Sequence, residues 1–258
     1  PPLNLSETGE QSFERLYLRG GYPDSYQAKS DETSFIWRES YIRTYLEMDI
    51  PQLDIRIPSI QLRRFWTMLA HSHGQLWNAS KIAGSLGVSA PTVRRYLDIL
   101  EATFVVRQLQ PYSINIKKRL IKSPKIYIRD SGLAHTLLRI RSFDDLLGHP
   151  ALGATWEGFV IEQIVSLLPE NSETFFFRTN AGAEIDFLFM DRKNKPVAVE
   201  VKYSLSPSLP RGFWNAFEDL SCSQGYVIYP GRDTYPLAHN VTALPIGRLS
   251  EMVRETTG

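Results

Sequence analysis

Two alternating runs flanking a short polar loop, residues 182–202, limit the fold of this chain more than any other stretch. They read G-A-E-I-D-F-L-F-M, then D-R-K-N-K-P, then V-A-V-E-V-K. Each run has the period of two that a strand requires, and the loop between them predicts a hairpin. Side chains two apart on a strand share a face, so Glu200 and Lys202 project together and Asp186 meets them from the neighbouring strand. Two carboxylates and an ammonium then converge. The acids repel one another and lose hydration on burial, so a positive group is expected between them. A hard divalent cation, Mg2+ or Mn2+, answers that need. Carboxylate oxygens bind it, it lowers the pKa of a bound water, and the lysine orients that water or offsets charge on a scissile phosphate. The plainer alternative is an ordinary Glu200–Lys202 ion pair on a solvated sheet face.

Asp186, followed fourteen positions later by Glu200-Val201-Lys202, resembles the PD-(D/E)XK nuclease superfamily. Upstream, residues 153–165 form an apolar helical run carrying Glu157 and Glu162, and Phe175-Phe176-Phe177 leads as a strand into the hairpin. The order helix, strand, hairpin matches the core of that superfamily. The resemblance implies a glutamate from the first helix in the metal site, and Glu157 matches it better than Glu162, which reads as a solvent-facing helix residue. Asp186, Glu200, Lys202 and Glu157 are thus the candidate catalytic set, with Asp186, Glu200 and Glu157 as the metal ligands.

The chain has 258 residues, 43% hydrophobic and 22% charged, enough for two compact domains. Its apolar runs are too short for a membrane span or secretory leader. A single cysteine, Cys222, rules out an internal disulfide and fits a reducing cytoplasm; with Ser221 and Ser223 beside it there is no base to activate it, and it reads as a structural thiol. The histidines lack zinc spacing, and without a Gly-Lys pair there is no phosphate-binding loop.

Charge is uneven. Residues 81–129 hold ten Lys or Arg against Asp98 and Glu101, although the whole chain carries a formal net charge of only +1. Inside that stretch lies a helix-turn-helix pattern. Asn78 caps a first helix, Gly87 supplies the turn, and Ser89 caps a second helix from Ala90 to about Ala102 that tolerates Pro91 in its first turn. That second helix buries Val93, Tyr96, Leu97 and Leu100 and exposes Thr92, Arg94, Arg95 and Asp98, types that reach base edges and phosphates. Strand-like runs 104–109 and 125–128, joined through Lys117, Lys118 and Arg119, would complete a winged helix whose wing lies along a phosphate backbone. The alternative is a packing platform between domains.

Residues 1–10 lack periodicity and read as a connector. Ser30 or Asp31 caps a helix reaching about Met48, on which Arg38, Glu39, Arg43 and Glu47 read as a solvated face laced with i,i+4 pairs. An Asp144-Asp145 connector suggests a boundary, and the C-terminal residues 241–245 read as an edge strand.

Taken together, Arg19-Gly20-Gly21-Tyr22-Pro23, Trp37-Arg38-Glu39, Arg129-Asp130-Ser131-Gly132-Leu133, Trp156-Glu157 and residues 178–187 resemble the C-terminal half of a prokaryotic AAA-type ATPase family. Its members join an ATPase to a winged helix and a nuclease-like domain of unknown function. The ATPase itself has no counterpart here, so ATP binding does not carry over, and some members keep the fold without cleaving. The expected fold is α/β, α+β overall: a helical segment over 1–58, a winged helix over 59–130, and a restriction-endonuclease-like mixed sheet flanked by helices over 131–258. The expected function is DNA binding with a divalent-metal-dependent phosphodiesterase site. The alternative is a non-catalytic module contacting DNA, an ATPase domain or a partner protein, with no membrane involved.

Overall fold

The computed structural model of the chain describes residues 2–9, 13–52, 57–113 and 119–258. In chain order the helices are α1 (Leu5–Thr8), α2 (Phe13–Arg19), α3 (Pro23–Tyr26), α4 (Asp31–Thr44), α5 (Ile50–Gln52), α6 (Ser59–His71), α7 (Ala79–Leu86), α8 (Ala90–Ala102), α9 (Ser131–Leu137), α10 (Phe143–Leu147), α11 (Leu152–Leu167), α12 (Arg211–Asp219) and α13 (Leu249–Thr257). The strands are β1 (Val106–Pro111), β2 (Lys125–Ile128), β3 (Thr174–Arg178), β4 (Glu184–Met190), β5 (Pro196–Val201), β6 (Gln224–Tyr229), β7 (Tyr235–Ala238) and β8 (Val241–Pro245). This is the mixed α/β architecture that the sequence predicts.

Two compact units divide these elements. The first contains Glu14–Gln108 and Ile126–Gly158 with the four N-terminal residues; the second contains Leu5–Phe13, Leu109–Lys125 and Phe159–Gly258. Residues 131–158, expected with the C-terminal domain, fall in the first unit. The physical reason is α9: every one of its residues is buried, and it packs against α4 and α6 of that unit.

In the first unit, local signals act where the sequence places them. The side chain of Ser30 accepts a hydrogen bond from Thr33 N at the start of α4. The helix then widens into a π-helical turn, Tyr45–Asp49, before α5. Asn78 accepts from Lys81 N at 3.0 Å, and Ser89 from Thr92 N at 3.3 Å. Between α7 and α8, Gly87 takes φ +68, a left-handed conformation in which a side chain is strained. Helices α6, α7 and α8 pack on one another around Phe65, Trp66, Ile82, Val93, Tyr96, Leu97 and Leu100, all buried.

Arg38 departs from its expected place. It is 0% exposed, not part of a solvated face. Its Nε donates to Thr136 Oγ1 at 2.7 Å, and its Nη1 donates to Ser34 Oγ at 3.0 Å and to the Leu18 carbonyl at 3.3 Å. Helix α9, α4 itself and the end of α2 supply those acceptors, so tertiary packing overrides the polar-face reading. Glu39, one residue on, does stay near the surface and accepts from Arg139.

In the second unit the strands run in the order β1-β3-β4-β5-β6-β8-β7. The predicted hairpin is present: β4 and β5 are antiparallel, with Phe187 opposite Val199 and Leu188 opposite Ala198. Beyond it, β5, β6 and β8 are parallel. The strand at 241–245 is therefore not the edge; β8 lies between β6 and β7, and β7 takes the edge by pairing antiparallel with β8. The sheet core, with Phe177, Ile185, Leu188, Ala198 and Val227, packs with Phe213 and Ala216 of α12. Cys222 belongs to the same cluster, and burial pushes its thiol up to about 12, as expected of an inert structural cysteine.

Candidate functional site

Central strands with neighbours on both sides bury nearly everything they carry. In β4 only Glu184 and Met190 keep partial exposure, and in β5 every residue after Pro196 is buried. The Glu200–Lys202 ion pair of the plainer alternative is present, but the sheet face that carries it is not solvated, since the Glu200 side chain is 6% exposed and that of Asp186 12%. Extending the hairpin register one step past Phe187 and Val199 sets Asp186 opposite Glu200, with both side chains on one face of the sheet. A hydrogen bond fixes the first of them: Asp186 Oδ2 accepts from Val201 N at 3.0 Å. Lys202 follows β5, its backbone N–H donating to the Ile228 carbonyl at 3.0 Å, and its Nζ lies 2.7 Å from Glu200 Oε1.

The structure adds members that the hairpin pattern does not announce. Lys125 Nζ lies 3.1 Å from Glu184 Oε1 and 3.7 Å from Asp186 Oδ1, with its side chain only 4% exposed and its ammonium 5.5 Å from the centre of the Phe176 ring. Glu184 also meets Arg178 Nε at 3.5 Å. Three carboxylates, from Glu184, Asp186 and Glu200, are thus matched by Lys125, Lys202 and Arg178. A signal for Lys125 exists in the sequence. It heads the apolar run Lys125-Ile126-Tyr127-Ile128, and a lysine in a fully buried strand demands a carboxylate partner.

Glu157, the fourth residue of the expected catalytic set, belongs to the first unit, where its carboxylate accepts a hydrogen bond from the Tyr127 hydroxyl. Among the described residues there is no group of three or more His, Cys, Asp or Glu that could hold a metal ion. Of the three expected ligands, Asp186 and Glu200 are the two that the hairpin register sets opposite one another. That pair suits Mg2+ or Mn2+ in kind, since such cations are commonly held by one or two carboxylates, with phosphate and water oxygens filling the remaining positions.

On the helix-turn-helix, Arg94, Arg95 and Asp98 are exposed and Thr92 is half-buried, its hydroxyl 2.8 Å from Ser89 Oγ. Lys117 and Lys118 lie outside the described residues. Arg119 is exposed and belongs to the second unit, where its carbonyl accepts from Asn180 N at 3.0 Å and Leu120 bridges Thr179. Arg94 and Arg95 are thus the described basic side chains that α8 itself presents.

The protein so far defined is a mixed α/β chain with a capped helix-turn-helix and a charge-balanced acidic face on a central hairpin. It belongs to the family described as Domain of unknown function (DUF8612), whose profile matches residues 10–144, and residues 152–249 match a second family, Domain of unknown function (DUF4143). Two curated relatives, Uncharacterized protein Rv2008c of Mycobacterium tuberculosis and Uncharacterized protein Mb2031c of Mycobacterium bovis, are each 45% identical over 247 residues, 96% of this chain and 56% of theirs. The chain thus spans about half the length of the curated relatives it matches. A solved structure, that of the transcriptional regulator PA3341, matches 52% of this chain and 96% of its own at 21% identity, with a TM-score of 0.23. No helix among the described residues is long and apolar enough to cross a membrane.

Proposed function

We propose that the chain binds DNA through α8 and carries, on β4 and β5, a divalent-metal-dependent phosphodiesterase site. The observation that carries the DNA reading is the capped α7–α8 pair, which buries one face of α8 and leaves Arg94 and Arg95 on the other. A helix held in this way lays its polar face in the major groove, where arginines meet guanine edges and phosphates. For cleavage, the support is the shared face of Asp186, Glu200 and Lys202. Asp186 and Glu200 would hold the cation, which when bound supplies an activated water and offsets phosphate charge. Lys202 places an ammonium beside that position, suited to stabilising the charge that builds up on a phosphate under attack.

A second reading has its own observation. Each of the two carboxylates already has an ammonium within 4 Å, Lys202 for Glu200 and Lys125 for Asp186, and an internally neutralised site needs no metal. In that reading the chain is a non-cleaving module that contacts DNA or regulates a partner such as an AAA-type ATPase domain.

Two measurements separate these. Replacing Arg94 and Arg95 with alanine is expected to lower DNA affinity and to flatten its salt dependence by about one unit of log–log slope for each phosphate no longer neutralised; an unchanged slope removes α8 from the interface. Nicking of supercoiled and branched DNA with Mg2+ or Mn2+ tests cleavage. The wild-type chain is expected to nick and Asp186→Asn to be inactive, whereas nicking by neither protein, or by both equally, leaves the non-cleaving reading.

A further inference from the structure

Lys125 is the cation whose position neither the hairpin motif nor the proposed reaction requires. It is almost wholly buried, and its ammonium sits between two carboxylates of β4, closer to Glu184 (3.1 Å) than to Asp186 (3.7 Å). Burying a lysine is strongly unfavourable unless charges of opposite sign compensate it, so its placement is specific to this acidic face. Asp186 is also one of the two carboxylates able to hold a divalent cation. One carboxylate serving both an ammonium and a metal ion sets the two cations in competition.

We propose that Lys125 is the built-in counter-cation of this site. It balances Asp186 while no divalent cation is bound and yields that carboxylate when one arrives, withdrawing to Glu184. The proposal rests on the metal-site reading above and adds to it a residue that sets how tightly the cation is held. Glu184 then has a defined part: it is the dock that keeps the ammonium from claiming Asp186 outright, while Arg178 at 3.5 Å supplies the remaining charge balance. Lys202 stands in a like relation to the other proposed ligand, Glu200, at 2.7 Å, but its side chain is 35% exposed, so solvent screens its competition with a cation more than it does that of the buried Lys125.

The test is Mn2+ binding to the purified chain by isothermal titration calorimetry, which reads the site without any turnover. Lys125→Met keeps the bulk of the side chain and removes the charge, and is expected to tighten Mn2+ binding by about tenfold, the lower end of what a charge within 4–6 Å does to a carboxylate equilibrium. Lys125→Arg keeps the charge and is expected to bind like wild type. Glu184→Gln is expected to weaken Mn2+ binding, and the gain from Lys125→Met should be larger in the Glu184→Gln background, since the ammonium there has lost its nearer carboxylate and leans more on Asp186. Thermal melting verifies that each variant is folded; should Lys125→Met fail to fold, Lys125→Arg and Glu184→Gln still give distinct expectations, unchanged binding for the first and weakened binding for the second. Equal Mn2+ affinity in wild type and Lys125→Met overturns the counter-cation role and leaves the metal site standing. No Mn2+ binding in either protein removes the metal site, and this proposal with it. Binding by Lys125→Met alone supports both.

Discussion

Arg38 and Lys125 are both cations held beside carboxylates in the interior, one in each compact unit, yet their surroundings differ in kind. Around Arg38 everything is closed. Its guanidinium meets neutral oxygens of Leu18, Ser25, Ser34 and Thr136. Asp130, whose charge also acts on it, is fixed by Gly21 N and Leu133 N at 2.8 Å each. Backbone presses on that carboxylate: a Cβ on Gly20 would fall 2.2 Å from Asp130 Oδ1, and one on Gly132 2.2 Å from the Arg19 carbonyl. Around Lys125 lies a cluster of charges whose rim is partly open, with the side chain of the acid Glu184 31% exposed and that of the cation Lys202 35%. Desolvation dominates the first cluster, holding Arg38 down to about 10 and raising the carboxyl of Asp130. The second cluster keeps its charges paired and within reach of solvent, and so of an incoming ion. The Arg-Gly-Gly, Trp-Arg-Glu and Arg-Asp-Ser-Gly-Leu motifs that carry part of the family resemblance therefore build a structural knot, while the Glu-Ile-Asp and Glu-Val-Lys motifs gather the charges of the proposed site.

The largest expected contrast follows from removing one acid from each cluster. Asp130→Ala strands the buried Gly21 N and Leu133 N and is expected to cost about 2–4 kcal/mol of folding stability, from about 1–3 kcal/mol for each buried donor left without its acceptor. Asp186→Asn keeps an oxygen for Val201 N and leaves Lys125 its nearer partner Glu184, so its cost is expected to be about 1 kcal/mol or less. Urea unfolding of both variants measures the gap. Equal losses would erase the distinction between knot and site.

Next in size is an effect on turnover alone. Lys202→Ala takes away an ammonium beside the proposed phosphate position and leaves Asp186 bound to the backbone of Val201. Its expected effect is a fall in cleavage rate of about a hundred- to thousandfold, typical of losing one preorganised donor, with the urea midpoint unchanged. A rate loss that tracks a stability loss would instead assign Lys202 to the knot class of residue.

How much of the molecule is legible in its sequence follows the same division. Local chemistry announces itself: Asn78, Gly87 and Ser89 act where their side chains and backbone freedom dictate, and the alternation over 184–201 gives the hairpin and its register. Long-range partners do not. Arg38 lies on α4 at a spacing that suits a solvated ion-pair face, and only the acceptors on α9 and at the end of α2, far away in sequence, turn it inward. Lys125 sits inside a basic run that points towards phosphates, while the fully apolar strand behind it points inward. The assignment of 131–158 to the first unit likewise depends on what α9 buries, which the motif order does not reveal.

The smallest expected effect sharpens the closed character of the first cluster through pH. His135 is fully buried there, its Nδ1 3.2 Å from the Leu18 carbonyl and its ring 5.0 Å from that of Tyr17. Burial pushes its pKa down to about 3, with Arg38, His73 and His149 adding unfavourable charge. The unfolded chain takes up this proton near the ordinary value of about 6.5, whereas the folded chain does not. The contribution of His135 to stability is therefore complete above that value. It falls as the pH drops, at a slope approaching about 1.4 kcal/mol per pH unit, until the folded value is reached. Asp130 acts with the opposite sign. Its raised carboxyl pKa lets the folded chain hold a proton that the unfolded chain has released, so its contribution declines as the pH rises above the ordinary aspartate range. Comparing wild type with His135→Asn, which keeps a donor near the Leu18 carbonyl and cannot titrate, isolates the histidine. Between pH 6 and pH 5 the variant is expected to lose less stability than wild type, by a margin approaching that slope. Parallel pH profiles for the two proteins would mean that the cavity around His135 admits water and a proton, and that the first cluster is as open as the second.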